Sequence, residues 1–372
     1  MDTALHALHD LHALADQIRT AAAEGRPLRI VGGGTKDFYG EQLQGEPLHT
    51  AGYCGITAYE PSELVITARC GTPLAELEAT LAAQGQCLAF EPPRLAPGGT
   101  VGGMVAAGFS GPARAQVGAV RDFVLGATML NGQGLALRFG GQVMKNVAGY
   151  DVSRLLAGSW GTLGCITEVS LKVLPVAPAE ATLRFELAQT EALARLHRWG
   201  GQPLPLNASC WGDSGGVPLL YVRLRGAVAA VESACRQMGG ERLELATTQA
   251  QWQACRDQQL PWFQARPPQQ QLWRLSVPQT APVLDGPAAP LVEWHGGQRW
   301  YVVDAQDTAS ALRLRQQAAA VGGSAALWRT GATPATGRLD PLSAPLASIH
   351  HALKREFDPA GILNRGRLYP SW

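Results

Sequence analysis

Leu5, Leu8, Leu11, Ala15 and Ile18 recur at helical spacing, and Gly25 and Pro27 follow as stop signals. The pattern predicts an amphipathic helix from Thr3 to Glu24. A short apolar run, Leu28 to Val31, reads as a strand that enters Gly32-Gly33-Gly34 directly. Leu64 to Cys70 alternates as a strand, and Thr72 and Pro73 open a helix through Leu74, Leu77 and Leu81 that stops at Gly85. Phe123 to Leu130 and Leu135 to Phe139 flank Asn131-Gly132-Gln133-Gly134, which predicts a hairpin. Asp151 suits the cap of a short helix over 152–157, and Cys165 to Leu174 alternates up to Pro175.

Beyond about residue 175 the glycine clusters thin out. The order becomes strand 183–187, helix 191–199, strands 208–211 and 219–224, helix 228–238. A second round follows: strands 272–277, 291–293 and 301–303, a helix near 307–321, and a strand 326–329. This predicts an α+β domain with antiparallel sheet. Residues 266–271 and 286–290 read as Pro-rich surface loops, and a helix up to Phe357 precedes a turn-rich tail. The expected division is 1–175, 176–356 and a tail 357–372. With 372 residues the chain exceeds the roughly 250–300 at which one core stops growing.

Charge adds little. A net charge of +1 gives no electrostatic case for nucleic acid or an anionic membrane surface. The seven cysteines include no CxxC pair, so zinc-ribbon and iron–sulfur ligation patterns are missing, and their scatter fits reduced thiols in the cytoplasm. No apolar run reaches the roughly 18 residues of a membrane span. His6, His9 and His12 recur on the first helix, where solvated imidazoles explain them better than a metal site does.

Candidate chemistry lies in three glycine clusters at strand–loop boundaries: 32–34, 98–103 and 158–164. Glycine brings backbone N–H groups within reach of an anion. Thr100 suits the N-cap of a helix starting near Val101, whose first N–H groups could face a phosphate. Tight-turn glycines alone would explain one such cluster; three in the first half favour a phosphate-bearing ligand. The G-x-G-x-x-G fingerprint fails at Asp37, and G-x-x-x-x-G-K-[ST] occurs nowhere, so nicotinamide dehydrogenases and P-loop NTPases are disfavoured.

VGGGTKDFYG (31–40), PGGTVGGMVAAGFSGP (97–112), VRDFVLGATMLNGQG (120–134), KNVAGYDVSRLLAGSWGTLGCITEVSLKVLP (145–175) and FDPAGILNRGRL (357–368) occur in that order. The series resembles the FAD-linked oxidases of the vanillyl-alcohol oxidase/PCMH type. GGGTKDFYG, QVMKNVAGYDVSRLLAGS and LWRLSVP are similar to the E subunits of bacterial glycolate oxidases rather than the D subunits. The resemblance implies a two-lobed PCMH-type FAD-binding domain followed by an α+β cap. It implies that Gly32, Gly33, Gly34, Thr35, Lys36 and Asp37 form one pyrophosphate loop. Pro97, Gly98, Gly99, Thr100, Val101, Gly102 and Gly103, with Ser110 and Gly111, would form the second. Gly161, Thr162, Gly164 and Ile166 would hold the adenosine end, and Asn364 and Arg367 would return the tail to this domain.

The resemblance further implies a complex that oxidises glycolate to glyoxylate, with a catalytic FAD-containing D subunit and an iron–sulfur F subunit. Its expected location is the cytoplasm, peripheral at the inner membrane through those partners. The first loop lacks the histidine that tethers flavin covalently in many relatives, so the FAD is expected to be non-covalent. Trp160 stands where hydroxy-acid-oxidising relatives commonly show Glu, and an HGDGNLH-like metal-ligand segment is missing. Oxidising a hydroxy acid requires a base and a cation for the carboxylate. His295 and Arg299 could supply them, but a sheet-edge turn with surface His and Arg is the preferred reading, and no catalytic residue is assigned. An electron relay or accessory subunit is favoured over a self-sufficient oxidoreductase; a flavin-loaded scaffold is the third alternative.

Overall fold

The computed structural model describes residues 2–141, 151–331 and 337–371. The motif segment 142–150 lies outside the described residues. The chain forms two compact units: 1–109 with 119–175 and 341–372, and 110–118 with 176–340. The helix Ala344–Phe357 therefore belongs to the first unit, where the sequence reading assigned it to the second domain.

In the first unit, α1 (Asp2–Glu24) precedes β1 (Leu28–Val31), which pairs in parallel with β2 (Glu46–His49). β3 (Ile56–Glu60), β4 (Val65–Arg69), α2 (Leu74–Ala82) and α3 (Val101–Ala107) follow, then β5 (Val124–Leu130), β6 (Ala136–Gly140) and β7 (Cys165–Lys172). The five-stranded antiparallel sheet has the order β3-β4-β7-β5-β6. On one face of the β4–β7 pair, Ile66, Ala68, Val169 and Leu171 are buried apolar residues; on the other, buried Thr67 and Ser170 share a hydrogen bond between their hydroxyls (2.9 Å). At the β5–β6 hairpin, Asn131 Oδ1 accepts from Gln133 N (3.0 Å) and Leu135 N (2.9 Å), so the side chain closes the turn. α3 is capped by Thr100, whose Oγ1 accepts from Gly103 N, and it ends at Gly108 with φ 67°.

Two features staple the C-terminal segment to this unit. Leu14, Ile18, Leu28, Leu48, Ile362 and Leu363 share one apolar cluster. Below the tail, Lys354 Nζ is buried and donates to Asp358 Oδ2 (2.6 Å), Thr162 O (2.7 Å) and Leu363 O (2.7 Å). The ammonium is thus fully coordinated, which offsets the cost of burying it.

In the second unit, β8 (Ala179–Glu186), α4 (Gln189–Gly200), β9 (Leu206–Ser214), β10 (Val217–Gly226), α5 (Val228–Met238) and β11 (Glu241–Arg242) make the first round. α6 (Leu245–Arg256), β12 (Gln270–Ser276), β13 (Leu291–Glu293), β14 (Gln298–Asp304), α7 (Thr308–Ala320) and β15 (Ser324–Arg329) make the second. One eight-stranded antiparallel sheet results, in the order β11-β8-β10-β9-β13-β14-β12-β15. α5 packs on it through Val231, Ala234 and Met238, and α7 through Leu314 and Ala318. The α+β antiparallel architecture expected from the strand and helix order is present.

Candidate functional site

A cleft of about 770 Å³, counting its solvent-open part, opens in the first unit where β1 ends. Gly32 to Asp37 form one wall, Thr100, Gly102, Gly103, Ala106 and Ala107 another, and Trp160, Gly161, Gly164 and Ile166 a third. Asn364 and Arg367 also line it. The three glycine clusters therefore converge on one place.

The walls are locked by backbone contact. A Cβ on Gly33 would stand 1.7 Å from Gly98 O, so the first two loops touch main chain to main chain. A Cβ on Gly161 would stand 2.7 Å from Asn364 Nδ2, and one on Gly164 would stand 1.9 Å from Met129 Cε. Asn364 Oδ1 accepts from Ile30 N (2.7 Å), and its Nδ2 donates to Trp160 O. Arg367 donates to Glu41 O (2.9 Å) and Lys36 O (3.1 Å), with its guanidinium over the Trp160 ring. Trp160 in turn stacks on Tyr39, with centroids 5.0 Å apart. The aromatic at the position noted in the sequence thus shapes the wall.

The donors follow a different pattern from the sequence expectation. Among the described residues the N–H groups of Gly32, Gly33, Gly34 and Thr35 donate to nothing, whereas Asp37 N closes a turn on Gly34 O (3.1 Å). At the start of α3 the amides are engaged within the fold: Val101 N to Thr72 O, Gly102 N to Cys70 O, and Gly103 N to Thr100 Oγ1. What α3 gives the cleft is small surface, at Gly103 and Ala106, rather than open donors. Gly102 is small because a Cβ there would stand 2.6 Å from Cys70 Cβ and 3.1 Å from Cys70 O, so it lets α3 approach β4.

Of the other expected site residues, Pro97, Gly98, Gly99, Val101 and Thr162 are not among those that line the cleft, Pro97 and Gly98 being exposed, and Ser110 and Gly111 belong to the second unit. Gly111 O there accepts from Trp294 Nε1 (2.9 Å).

Arg29 on β1 was not singled out in the sequence, although a charge inside an apolar strand beside a glycine triad was a usable signal. It lines the cleft, and its Nε is buried without a partner. Lys36 is only 9 % exposed and bonds through Nζ to Thr35 Oγ1 (3.2 Å), with no carboxylate partner among the described residues. Burial brings its pKa down to about 8. Unengaged amides, an orphaned guanidinium nitrogen and a desolvated ammonium all call for an anion, and the diphosphate of FAD meets that demand. The residues fit the cofactor.

His295 and Arg299 lie in the second unit and are not on its surface: His295 is 5 % exposed and Arg299 0 %. The surface-turn reading is corrected. Arg299 donates to Gly296 O (3.1 Å), Ala281 O (2.7 Å) and Pro282 O, so three main-chain carbonyls hold it and no substrate carboxylate is needed to satisfy it. His295 takes a left-handed φ of 55°, as Trp294 does at 54°, and neither ring nitrogen has a partner. Burial lowers its pKa to about 4, so the ring is neutral at physiological pH. Among the described residues no group of three or more His, Cys, Asp or Glu side chains is placed to hold a metal.

Fold and cleft together define a flavoprotein of the FAD-linked oxidase class. Residues 4–140 match the family model described as FAD binding domain. The chain is 43 % identical over 357 residues to the glycolate oxidase subunit GlcE of Escherichia coli (strain K12), covering 96 % of this chain and 97 % of that one. Over 96 residues, 26 % of this chain and 20 % of the other, it is 36 % identical to the glycolate oxidase subunit GlcD of Bacillus subtilis (strain 168). A solved structure of alkyldihydroxyacetonephosphate synthase shares the fold, with a TM-score of 0.66 at 15 % identity, over 94 % of this chain and 73 % of that one. The chain belongs to the glycolate oxidase subunit GlcE family, within the FAD-linked oxidases of the vanillyl-alcohol oxidase/PCMH type.

Proposed function

We propose that this chain is the FAD-carrying subunit of a glycolate oxidase, a complex that converts glycolate to glyoxylate. In this reading it serves as an electron relay or accessory subunit beside a catalytic flavin-containing D subunit and an iron–sulfur F subunit. The observation that carries the proposal is the cleft, where unengaged Gly32–Thr35 amides, Arg29 and Lys36 converge within a chain that matches a GlcE along almost its whole length. Gly32 to Asp37 would hold the diphosphate. Gly103 and Ala106 would leave it room, and Gly161, Gly164 and Ile166 would lie along the adenosine. Thr100 and Gly102 complete the same wall.

When bound, FAD would supply acceptance of electrons and their onward transfer. The chain's own residues bind and orient it: β1 aims the first loop, the Gly33–Gly98 contact fixes the loop spacing, and Arg367 braces Lys36 through its carbonyl. No covalent attachment is expected, because the first loop contains no histidine. Arg299 is satisfied by carbonyls, which supports the relay reading over substrate turnover by this chain alone. Among the described residues no helix is long and apolar enough to cross a membrane, in keeping with membrane association through partners alone.

The test is purification of the chain by itself and with its two partners, followed by anaerobic addition of glycolate. Yellow protein that stays yellow alone and bleaches in the complex supports the proposal. Bleaching of the isolated chain at the rate of the complex would make it self-sufficient. Full activity of a complex built with an FAD-free variant would reduce it to a scaffold.

A further inference from the structure

The second unit contains a groove of about 1960 Å³, counting its solvent-open part, which the flavin chemistry leaves unused. Its walls are apolar and aromatic: Tyr221 on β10, Trp252 on α6, Trp262 on the short helix Pro261–Gln264, Leu260, Leu291 and Val302. The polar atoms beneath them are engaged inward. Trp252 Nε1 donates to Thr182 Oγ1 (2.9 Å), and Cys255 Sγ donates to the buried carboxylate of Glu293 (3.2 Å). Such walls suit a flat apolar body.

Two formal charges line the groove. Asp213 is exposed and accepts from Gly216 N (2.6 Å) within its own turn. Arg266 is half-buried, and its Nη1 donates to the carbonyls of Pro267 and Gln270, which fixes the side chain. Among the described residues its Nε and Nη2 donate to nothing, and no carboxylate pairs with it. Burial lowers its pKa, with no acid acting in the other direction, and it lies close enough to Arg329 to depress that pKa as well. An anchored guanidinium with a free Nε–Nη2 edge has the fork geometry that takes a carboxylate with two parallel hydrogen bonds.

We propose that this groove is a binding site for an organic carboxylate with an aromatic body, the carboxylate on the Nε–Nη2 edge of Arg266 and the ring among Tyr221, Trp252 and Trp262.

The test uses the FAD-loaded full-length chain, titrated with 2-naphthoate and with uncharged 2-naphthalenemethanol and followed by calorimetry and tryptophan fluorescence. The site predicts saturable one-to-one binding of 2-naphthoate, with the alcohol about tenfold weaker, as expected for losing a charge-assisted fork. Arg266→Gln should bring the two ligands to equal affinity, and Ala254→Phe, which fills the groove from α6, should abolish both. FAD content should stay unchanged in each variant. The proposal is overturned by absence of saturable binding, by equal affinity of acid and alcohol for the unaltered chain, or by full binding in Ala254→Phe. Release of flavin by the probe would move the binding to the FAD cleft, and displacement of the probe by a partner subunit would assign the groove to protein contact; either outcome rejects it.

Discussion

Lys36 offers a quantitative check on the anion-binding character of the cleft. Its ammonium is buried, and burial alone lowers its pKa from the ordinary 10.5 to about 8. A bound diphosphate would return the missing counter-charge. At 1.36 kcal/mol per pH unit, full restoration corresponds to coupling of about 3 kcal/mol between proton and ligand. The sign follows from the two pKa values. Below pH 8 the free protein is already charged, and affinity is at its maximum. As pH rises through 8, the free form loses the proton while the loaded form keeps it, so affinity falls by up to tenfold per pH unit towards 10.5. Fluorescence titration of FAD between pH 6.5 and 9.5 measures this directly. Lys36→Met should bind about 10–100-fold more weakly at pH 7, the worth of a charged hydrogen bond, and show a flat profile. A flat profile for the unaltered chain, or unchanged affinity in Lys36→Met, would refute the reasoning.

Ala106→Leu should weaken FAD at least tenfold while leaving the apoprotein's melting temperature nearly unchanged, because the added carbons enter the cleft and not the core. Gly102→Ala should do the reverse, costing about 1–3 kcal/mol in denaturant unfolding through its collision with Cys70. Lys354→Met should destabilise the first unit by about 3 kcal/mol in the same assay, since Asp358 keeps its place in the interior without its cation. His295 has a folded pKa near 4 against an ordinary 6.5, so the native state loses stability as pH falls from about 6.5 to 4, by about 3 kcal/mol at most. His295→Gln should remove that part of the acid sensitivity, shifting the acid-unfolding midpoint downward.

The glycine loops were legible because residues without a β-carbon mark places where main chains meet, and Gly33 against Gly98 is such a place. The sequence could not say which neighbour demanded each glycine. Gly102 looked like an opening for phosphate and instead makes room for Cys70, the residue that follows β4. The α5 helix and β13 strand were readable to the residue, since their apolar periodicity agrees with the faces they bury. α6 was missed because it buries Thr248, Trp252 and Cys255, a stripe too polar to stand out. β2 was missed for a similar reason: in Glu-Pro-Leu-His only Leu48 is buried, and its parallel pairing with β1 is a long-range choice. The buried states of His295 and Arg299 come from tertiary packing that a local His-Gly-Gly-Gln-Arg pattern does not encode.

Hydrogen exchange with and without FAD tests the account most directly. The amides of Gly32, Gly33, Gly34 and Thr35 have no partner within the described fold, while those of Val101 and Gly102 are already bonded. FAD should therefore slow exchange sharply across residues 32–35 and leave the start of α3 protected to a similar degree in both states. Unchanged exchange at 32–35 in flavin-saturated protein would contradict the assignment of this loop as the diphosphate cradle.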